Sequence, residues 1–403
     1  SLDHKKSGRN FFRPLVPKKA AFFLLFLHMN ILVNTRLLLH GKMEGIGFYT
    51  HQLMQHVVKN HPEHTFYFLF DRPFHQEFVY AENVVPLVYG PPARHPFLYI
   101  IWFEITVPKV IKKYKIDAFF SPDHFLSIRA KVPTILAVHD LNFMHNPENL
   151  PLLTSIYYRL FFPHFIKKAK QIIAVSEYTK NDIIQYFKIP SHNIDVVYNA
   201  SNQEKGKLNP QQIFETKKKF SSGKDYFFYI GSLHKRKNIG RMLLAFDDFI
   251  NKTKADVNLI IGGKAMWSDK EMEKDYQKVV HKEKIIFTGR LSNKDAKLLM
   301  GSSLALVFVS LFEGFGVPIV EAMESGVPVI TSNVTSMPEI AADAACLVNP
   351  LSVNEISDAM MLVYQDEKYR NDLIDKGLKR ANLFSWEISA QRCWDAFEKM
   401  LNK

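Results

Sequence analysis

The sequence predicts an α/β protein made of two parallel-sheet domains. Three observations lead there. A chain of 403 residues is longer than one core usually serves, so two domains are expected. Short apolar runs alternate with longer helical patterns, and this happens twice, before and after a polar stretch at 199–210. Residues 310–331, SLFEGFGVPIVEAMESGVPVIT, read as a glycine-bearing loop, a helix and a new strand. A hydrophobic content of 47% with 23% charged residues fits a globular protein.

Taken in order, 30–34 reads as a buried first strand. After it, 41–50 (GKMEGIGFYT) is a loop, followed by a helical pattern to about Asn60. Gly45 and Gly47 let backbone approach a ligand closely. Thr50 stands where a dinucleotide fingerprint needs its third glycine, so that fingerprint is absent. Strands follow at 65–70 and 84–87. A helix is expected over 97–115, carrying Trp102, Phe103 and Ile105. Its Lys109, Lys112, Lys113 and Lys115 read as a solvated basic face, and Pro108 interrupts the pattern. Strands at 117–120 and 134–138 come next. His139 and Asp140 directly follow the second of these, where open α/β sheets bind ligands, so His139 is a candidate hydrogen-bond donor to a ligand hydroxyl or carbonyl. Strand 171–175, a helix capped by Ser176 and running to Phe187, and strand 194–198 complete this half. The polar stretch 199–210 is the candidate linker.

The second alternation opens with strand 226–230. The string GSLHKRKN at 231–238 then leads into a helix from about Ile239. Lys235, Arg236 and Lys237 sit at this strand–loop–helix junction, placed to clamp a diphosphate. Strands at 257–261 and 285–288 end in the turns 262–264 and 289–291. Strand 304–309 runs into the 310–331 stretch, whose helix opens near Pro318 and ends at Gly326 and Pro328. Segments 337–340 and 344–348 precede helices to the end, the last over 386–401. No internal repeat and no low-complexity segment is found.

Glu313 and Glu321 stand eight positions apart in that stretch, with Gly314, Gly316 and Pro318 between them. A strand, a glycine loop and a helix N-terminus make an anion site, because backbone N–H groups and the helix dipole converge on it. A phosphate or diphosphate suits it. Carboxylates would repel that tenant, so they must face neutral hydroxyls, for which they are good acceptors. N–H groups for phosphate and carboxylates for hydroxyls together suit a nucleotide-sugar.

The stretch resembles the E-x7-E signature of retaining glycosyltransferases of the GT-B type, in the large family that includes bacterial mannosyltransferases and sucrose and glycogen synthases. Both glutamates, the GFG between them and the EAM that begins at the second are present. The likeness spans about 29–403, strongest over 225–350. It implies two Rossmann-like domains facing a cleft, 29–203 for the acceptor and 204–385 for the nucleotide-sugar, with 386–403 crossing back. Residues 1–28 fall outside it, as an N-terminal extension or a cloning remnant. EGIGFY is similar to the family's N-terminal glycine loop, which implies that Gly45 and Gly47 lie over the donor phosphates. His139 matches a family histidine near the donor sugar, and VSEYTKNDI is also family-like. GSLHKRKN resembles G-x-L-x-x-R-K-N, which implies Arg236 and Lys237 on the diphosphate. Ser232 stands where some relatives carry an arginine. Gly263 and Leu291 are implied on the donor side, the latter in a stretch whose backbone reads the base. Glu313, Gly314, Phe315, Gly316 and Val317 would hold sugar and diphosphate, and Glu321 the ribose. The catalytic set implied is His139, Lys237 and Glu313. The reaction implied moves a hexose, mannose being the first candidate, from a nucleoside-diphosphate sugar to a saccharide or lipid-linked saccharide. Configuration is retained, the leaving phosphate taking the acceptor's proton.

Net charge is +12, of which residues 1–28 contribute +5 through six Lys/Arg and one Asp. The excess fits an anionic donor and an anionic membrane surface. No nucleic-acid partner is expected, because no recognition motif accompanies the charge. Cys346 and Cys393 make neither a disulfide framework nor a zinc motif, so a reducing, cytoplasmic location is expected, with peripheral association at the inner membrane face. The apolar run 20–27 is too short to span a bilayer, and no small-x-small cleavage site follows it. No metal or other cofactor is expected. Asp-x-Asp is missing from every expected strand end, and Asp247-Asp248 falls mid-helix. The competing readings are a nucleotide-sugar epimerase of the same two-domain fold and a basic module that binds nucleic acid or membrane. An NAD dehydrogenase is disfavoured by the missing glycine.

Overall fold

A computed structural model of the chain describes residues 28–202, 206–263 and 270–402, and counts and absences here are of those residues. The extension through residue 27, the 203/204 boundary and Lys264 lie outside them. The first half runs β1 (Asn30–Asn34), α1 (Gly45–Asn60), β2 (Thr65–Phe70), β3 (Val84–Val88), α2 (Pro96–Ile101), α3 (Val107–Lys113), β4 (Ala118–Ser121), β5 (Thr134–Val138), α4 (Asn142–His145), α5 (Leu152–Lys168), β6 (Gln171–Ala174), α6 (Glu177–Phe187) and β7 (Ile194–Val196). The second half runs α7 (Pro210–Ser221), β8 (Tyr226–Ile230), α8 (Ile239–Thr253), β9 (Asn258–Gly262), α9 (Lys270–Lys278), β10 (Ile285–Gly289), α10 (Asn293–Gly301), β11 (Ala305–Phe308) and α11 (Val317–Glu324). It continues with β12 (Val329–Ser332), α12 (Met337–Ala341), β13 (Cys346–Val348), α13 (Val353–Gln365), α14 (Glu367–Ala381) and α15 (Trp386–Leu401).

Every strand pair is parallel, and the strands are covered on both faces, which is why runs such as TILAV in β5 are buried throughout. The strand orders are β3-β2-β1-β4-β5-β6-β7 and β10-β9-β8-β11-β12-β13. Each sheet reverses its winding once, between β1 and β4 and between β8 and β11. Ligand crevices of doubly wound sheets open beyond the strand ends at such reversals. Pro86 lies in β3, an edge strand, where its missing N–H costs no ladder bond. One apolar cluster runs through the second half and α15 into one face of the first sheet, and a separate cluster fills the other face.

Several elements differ from the sequence expectation. The 97–115 helix is α2, a π turn at Trp102–Thr106 and α3. Pro108 cannot donate and crowds the carbonyl four residues back. The wider turn absorbs this, and Val107 N–H reaches the Trp102 carbonyl. Helix α1 begins at Gly45 itself, so the two glycines belong to its first turn rather than to a loop. Helices α4, α5, α7, α9 and α10 have no counterpart in the sequence reading.

Candidate active site

The loops after β8 and β11 meet at the reversal of the second sheet. Leu311 N–H donates to the Arg236 carbonyl at 2.7 Å, and Arg236 Nη1 donates to the Phe312 carbonyl at 2.9 Å. Asn238 ties the loop after β8 to the chain leaving β11 and β13, its Nδ2 donating to the carbonyls of Val309 (3.0 Å) and Pro350 (2.7 Å). It also takes the left-handed backbone conformation at the start of α8, which asparagine tolerates better than most residues. At the meeting point Glu313 is 7% exposed, with Lys237 Nζ 2.5 Å from Oε1 and Arg236 Nη1 2.9 Å from Oε2. Burial would raise the Glu313 carboxyl. The Lys237 and Arg236 charges outweigh it and hold the group down at about 2. Burial lowers Lys237 against the pull of the same carboxylate. The sequence reading gave the cations to phosphate and Glu313 to sugar as separate halves, whereas here the three side chains form one ionic cluster.

The loop that carries Glu313 is pinned from three sides. Thr335 Oγ1 accepts from Glu313 N–H (3.3 Å), and Ser336 Oγ lies 3.0 Å from the carbonyls of Glu313 and Phe315. Ser176 Oγ, from the other half, donates to the Gly314 carbonyl at 2.7 Å while accepting from Thr179 N–H to cap α6. A Cβ on Gly314 would stand 1.7 Å from the His139 carbonyl oxygen, so only glycine lets the halves meet there. Gly316, at φ +99°, turns the chain into α11, whose first residue is Val317. Phe315 is buried among Tyr198 and Phe384, so only its backbone is left for a ligand.

The other candidates fall in three places. Glu321, on α11, lines a cavity of about 460 Å³ with Phe48 and Asn202 from the first half and Ile230, Lys294 and Lys297 from the second. Burial, with Glu324 adding to it, pushes the Glu321 carboxyl up to about 7. Gly45 has open space around it, while a Cβ on Gly47 would come 2.6 Å from the Leu37 carbonyl oxygen. Gly263 is explained by strand packing, since a Cβ there would meet the Gly231 carbonyl at 1.9 Å. The Leu291 side chain packs over Gly262.

His139 differs from expectation in its chemistry. Its Nε2 is 2.7 Å from the Pro122 carbonyl and must donate to it, and burial lowers its proton affinity. The neutral ring then offers Nδ1 as an acceptor, so it would receive a hydrogen bond from a hydroxyl rather than give one. Sequence reasoning missed the shell that fixes this ring. His124 Nε2 accepts from His139 N–H at 2.6 Å, and Asp123 next to it pairs with buried Arg36 at 2.6 Å. These residues sit on the loops after β1 and β4, at the first sheet's reversal. Lone residues 87 positions apart carry no spacing signal. Among the described residues, His40, His75 and Glu77 come together as metal ligands could; all three are exposed and none lies on the loops around Glu313.

Two doubly wound parallel-sheet domains packed against each other, with a cation–carboxylate cluster at the reversal of the second sheet, have the architecture of the GT-B class of glycosyltransferases. Residues 210–380 match the family described as glycosyl transferases group 1, and residues 43–205 match glycosyltransferase family 4. The chain is a glycosyltransferase enzyme, with a family 4 domain in its first half and a group 1 domain in its second. The O-antigen chain mannosyltransferase B of Escherichia coli is 29% identical over 72% of this chain and 76% of its own length. A serotype-specific mannosyltransferase of the same organism is 26% identical over 66% of this chain, which spans only 34% of that protein's length. In fold, the chain is similar to sucrose-phosphate synthase from Thermosynechococcus elongatus (TM-score 0.74, 15% identity, 93% of this chain and 99% of that one). It is also similar to Anabaena HepE in complex with UDP and glucose (TM-score 0.72, 17% identity, 92% of this chain and 100% of that one).

Proposed function

We propose that the chain transfers a hexose, mannose first among candidates, from a nucleoside-diphosphate sugar to a saccharide acceptor, with retention. The observation that carries this is Glu313 buried between Lys237 and Arg236 on the loop that opens α11, the helix whose Glu321 lines the cavity. The donor belongs with the second half. Its nucleoside occupies the cavity, with ribose hydroxyls on Glu321 and the diphosphate over the N-terminus of α11. Lys237 and Arg236 then meet the charge that grows on the leaving diphosphate, as preorganised cations in a water-poor site do. Glu313 faces the sugar and steadies positive charge at its anomeric carbon. His139 Nδ1 accepts from a sugar hydroxyl. The acceptor enters from the first half, and the leaving phosphate takes its proton, so no further base is needed. The relatives named O-antigen chain mannosyltransferases support mannose and a growing polysaccharide acceptor; the positive charge of the chain suits an acceptor carried on a lipid and met at the cytoplasmic face of a membrane. The cation pair and backbone N–H groups do the work of a bridging metal, so the reaction is metal-independent.

The test incubates the enzyme with GDP-mannose, UDP-glucose or ADP-glucose and an oligosaccharide acceptor, and follows nucleoside-diphosphate release and the anomeric configuration of the product. Release only with acceptor, an α-product from an α-donor and full activity in EDTA are expected. Conversion of the donor to its epimer without acceptor would establish the epimerase instead, and an inverted product would end the retaining mechanism. Activity lost in EDTA and restored by manganese would end metal independence.

A further inference from the structure

We propose that the outer face of α5 is a docking surface for an anionic lipid bilayer. Its inner face is core, with Tyr157, Phe162, Phe165 and Ile166 buried. Its outer face is also apolar, with Leu152 74%, Leu153 58%, Ile156 44% and Leu160 61% exposed. At about 100° per residue these four leucine and isoleucine positions fall on one arc of roughly 100°. A helix apolar all round is normally covered all round. No described residue of this chain covers the leucine stripe. Beside it, α2 packs through Tyr99 on Tyr157 (5.5 Å between rings), and α2 also carries Phe97, exposed like the stripe.

The charges indicate what covers it. Helix α5 has Arg159, His164, Lys167 and Lys168 and no acidic residue, and Glu148 just before it is the nearest carboxylate upstream in sequence. Arg159 and His164 flank the aliphatic arc on opposite sides. An aliphatic stripe with a basic rim fits the boundary between acyl chains and anionic headgroups. A second copy of the same face would bring like charges together. The helix lies on the surface rather than through it, since no described helix is long and apolar enough to cross a membrane.

Its place in the chain adds a consequence that rests on the proposed transfer reaction. The loop bearing His139 leads through α4 directly into α5, and Phe143 of α4 stacks on Tyr158 of α5 at 4.6 Å. Docking this helix sets the acceptor side of the cleft at the lipid surface, where a lipid-linked saccharide presents its sugar end.

The experiment sediments the whole chain with vesicles of phosphatidylcholine alone and with about one-third phosphatidylglycerol, at low and high salt. Binding is expected to need the anionic lipid and to weaken with salt. The double variant Leu153→Glu with Leu160→Glu should lower bound protein about tenfold or more, because each charge would enter the apolar boundary. Its melting temperature and transfer to a soluble oligosaccharide should match the parent, while transfer to a lipid-linked acceptor in vesicles should drop. Arg159→Glu with Lys167→Glu, which leaves the stripe intact, should weaken binding to the anionic vesicles only. Absence of vesicle binding by the parent overturns the proposal, as does equal binding by the leucine variant. So does a parent dimer in light scattering that the leucine variant dissociates. Vesicle binding by a chain that transfers no sugar to any acceptor would support the docking face while removing the transferase reading.

Discussion

A carboxylate enclosed by a lysine and an arginine keeps its charge because they keep theirs, and Glu313 competes with any phosphate for the same two cations. That coupling sets the expectation for its variants. Glu313→Gln should cut turnover by at least about a hundredfold, through loss of the charge opposite the anomeric carbon. The same change frees Lys237 and Arg236, so the affinity for free nucleoside diphosphate should rise, not fall. Lys237→Ala should weaken diphosphate binding and cost about 2–4 kcal/mol in the transition state. Calorimetric titration of both variants decides, and a Glu313→Gln enzyme that loses diphosphate affinity would remove the competition from the account. The two glutamates also answer pH in opposite directions. Glu313, held at about 2 against an ordinary 4.5, contributes stability that is present above 4.5 and lost as pH falls toward 2. Glu321, at about 7 instead of 4.5, keeps a proton in the fold that the unfolded chain releases, so its share of stability declines as pH rises from 4.5 to 7. Ribose hydroxyls, which the proposed function puts on Glu321, are held more strongly by its ionised form. Nucleotide affinity should therefore climb between about pH 6 and 8, and Glu321→Gln should flatten that slope.

At the scale of elements, α6 is the piece that joins the halves. Glu339, from α12, accepts the backbone N–H groups of Glu177 (2.8 Å) and Tyr178 (2.9 Å), so the N-terminus of α6 is capped from the opposite half. Ser176 at the same turn holds the Gly314 carbonyl. Glu339→Ala should cost about 0.5–2 kcal/mol, the usual worth of a helix cap. It should also raise KM for the acceptor more than it lowers kcat, since the catalytic cluster itself is untouched. Equal losses in both would place Glu339 in the chemistry. The strands were legible in the sequence because parallel strands covered on both faces read as unbroken apolar runs, as in β1, β5 and β8. Helix α5 was not, because it is apolar on both faces and has Pro151 before it and Pro163 within it, so it lacks the period that marks a surface helix. The glycines at 314 and 316 were legible as a tight loop ahead of a helix. That Gly314 serves contact with His139 and Gly263 contact with Gly231 was not, because close approach between distant backbones leaves no local pattern. Nor could the sequence tell that Arg236 and Lys237 would turn to Glu313, since one lysine suits a phosphate and a carboxylate equally well.

At the scale of the whole molecule, the chain finishes on the half it began with. Helix α15 follows the second half, yet Trp386 Nε1 donates to the Ser201 carbonyl at 2.9 Å and Ser389 Oγ to the Tyr198 carbonyl at 2.6 Å. Trp394 then stacks on His61 (3.6 Å) and lies 5.0 Å from the ring of His64, both near the end of α1, while Phe397 meets Phe120 of β4 at 5.8 Å. The apolar cluster that runs through α15 ties the two sheets together, although each has its own reversal loops. Trp394→Ala removes a buried ring at the far end of that strap and should cost about 3–5 kcal/mol. The loss should fall on the first half, because the residues that touch Trp394 are there, while Lys237, Arg236, Glu313 and their loops stand on the second sheet. Denaturant unfolding followed by amide exchange should then show early opening of α1 and β4. Titration below the transition should give an unchanged affinity for nucleoside diphosphate. Transfer to the acceptor should fall, because Tyr49 of α1 packs edge-on against His139 at 4.7 Å and against Trp386 at 6.0 Å, so a loosened strap also loosens the ring proposed to accept from the sugar. Diphosphate affinity that fell together with stability would mean that α15 supports both halves equally, and the donor half would not stand alone as a binding unit.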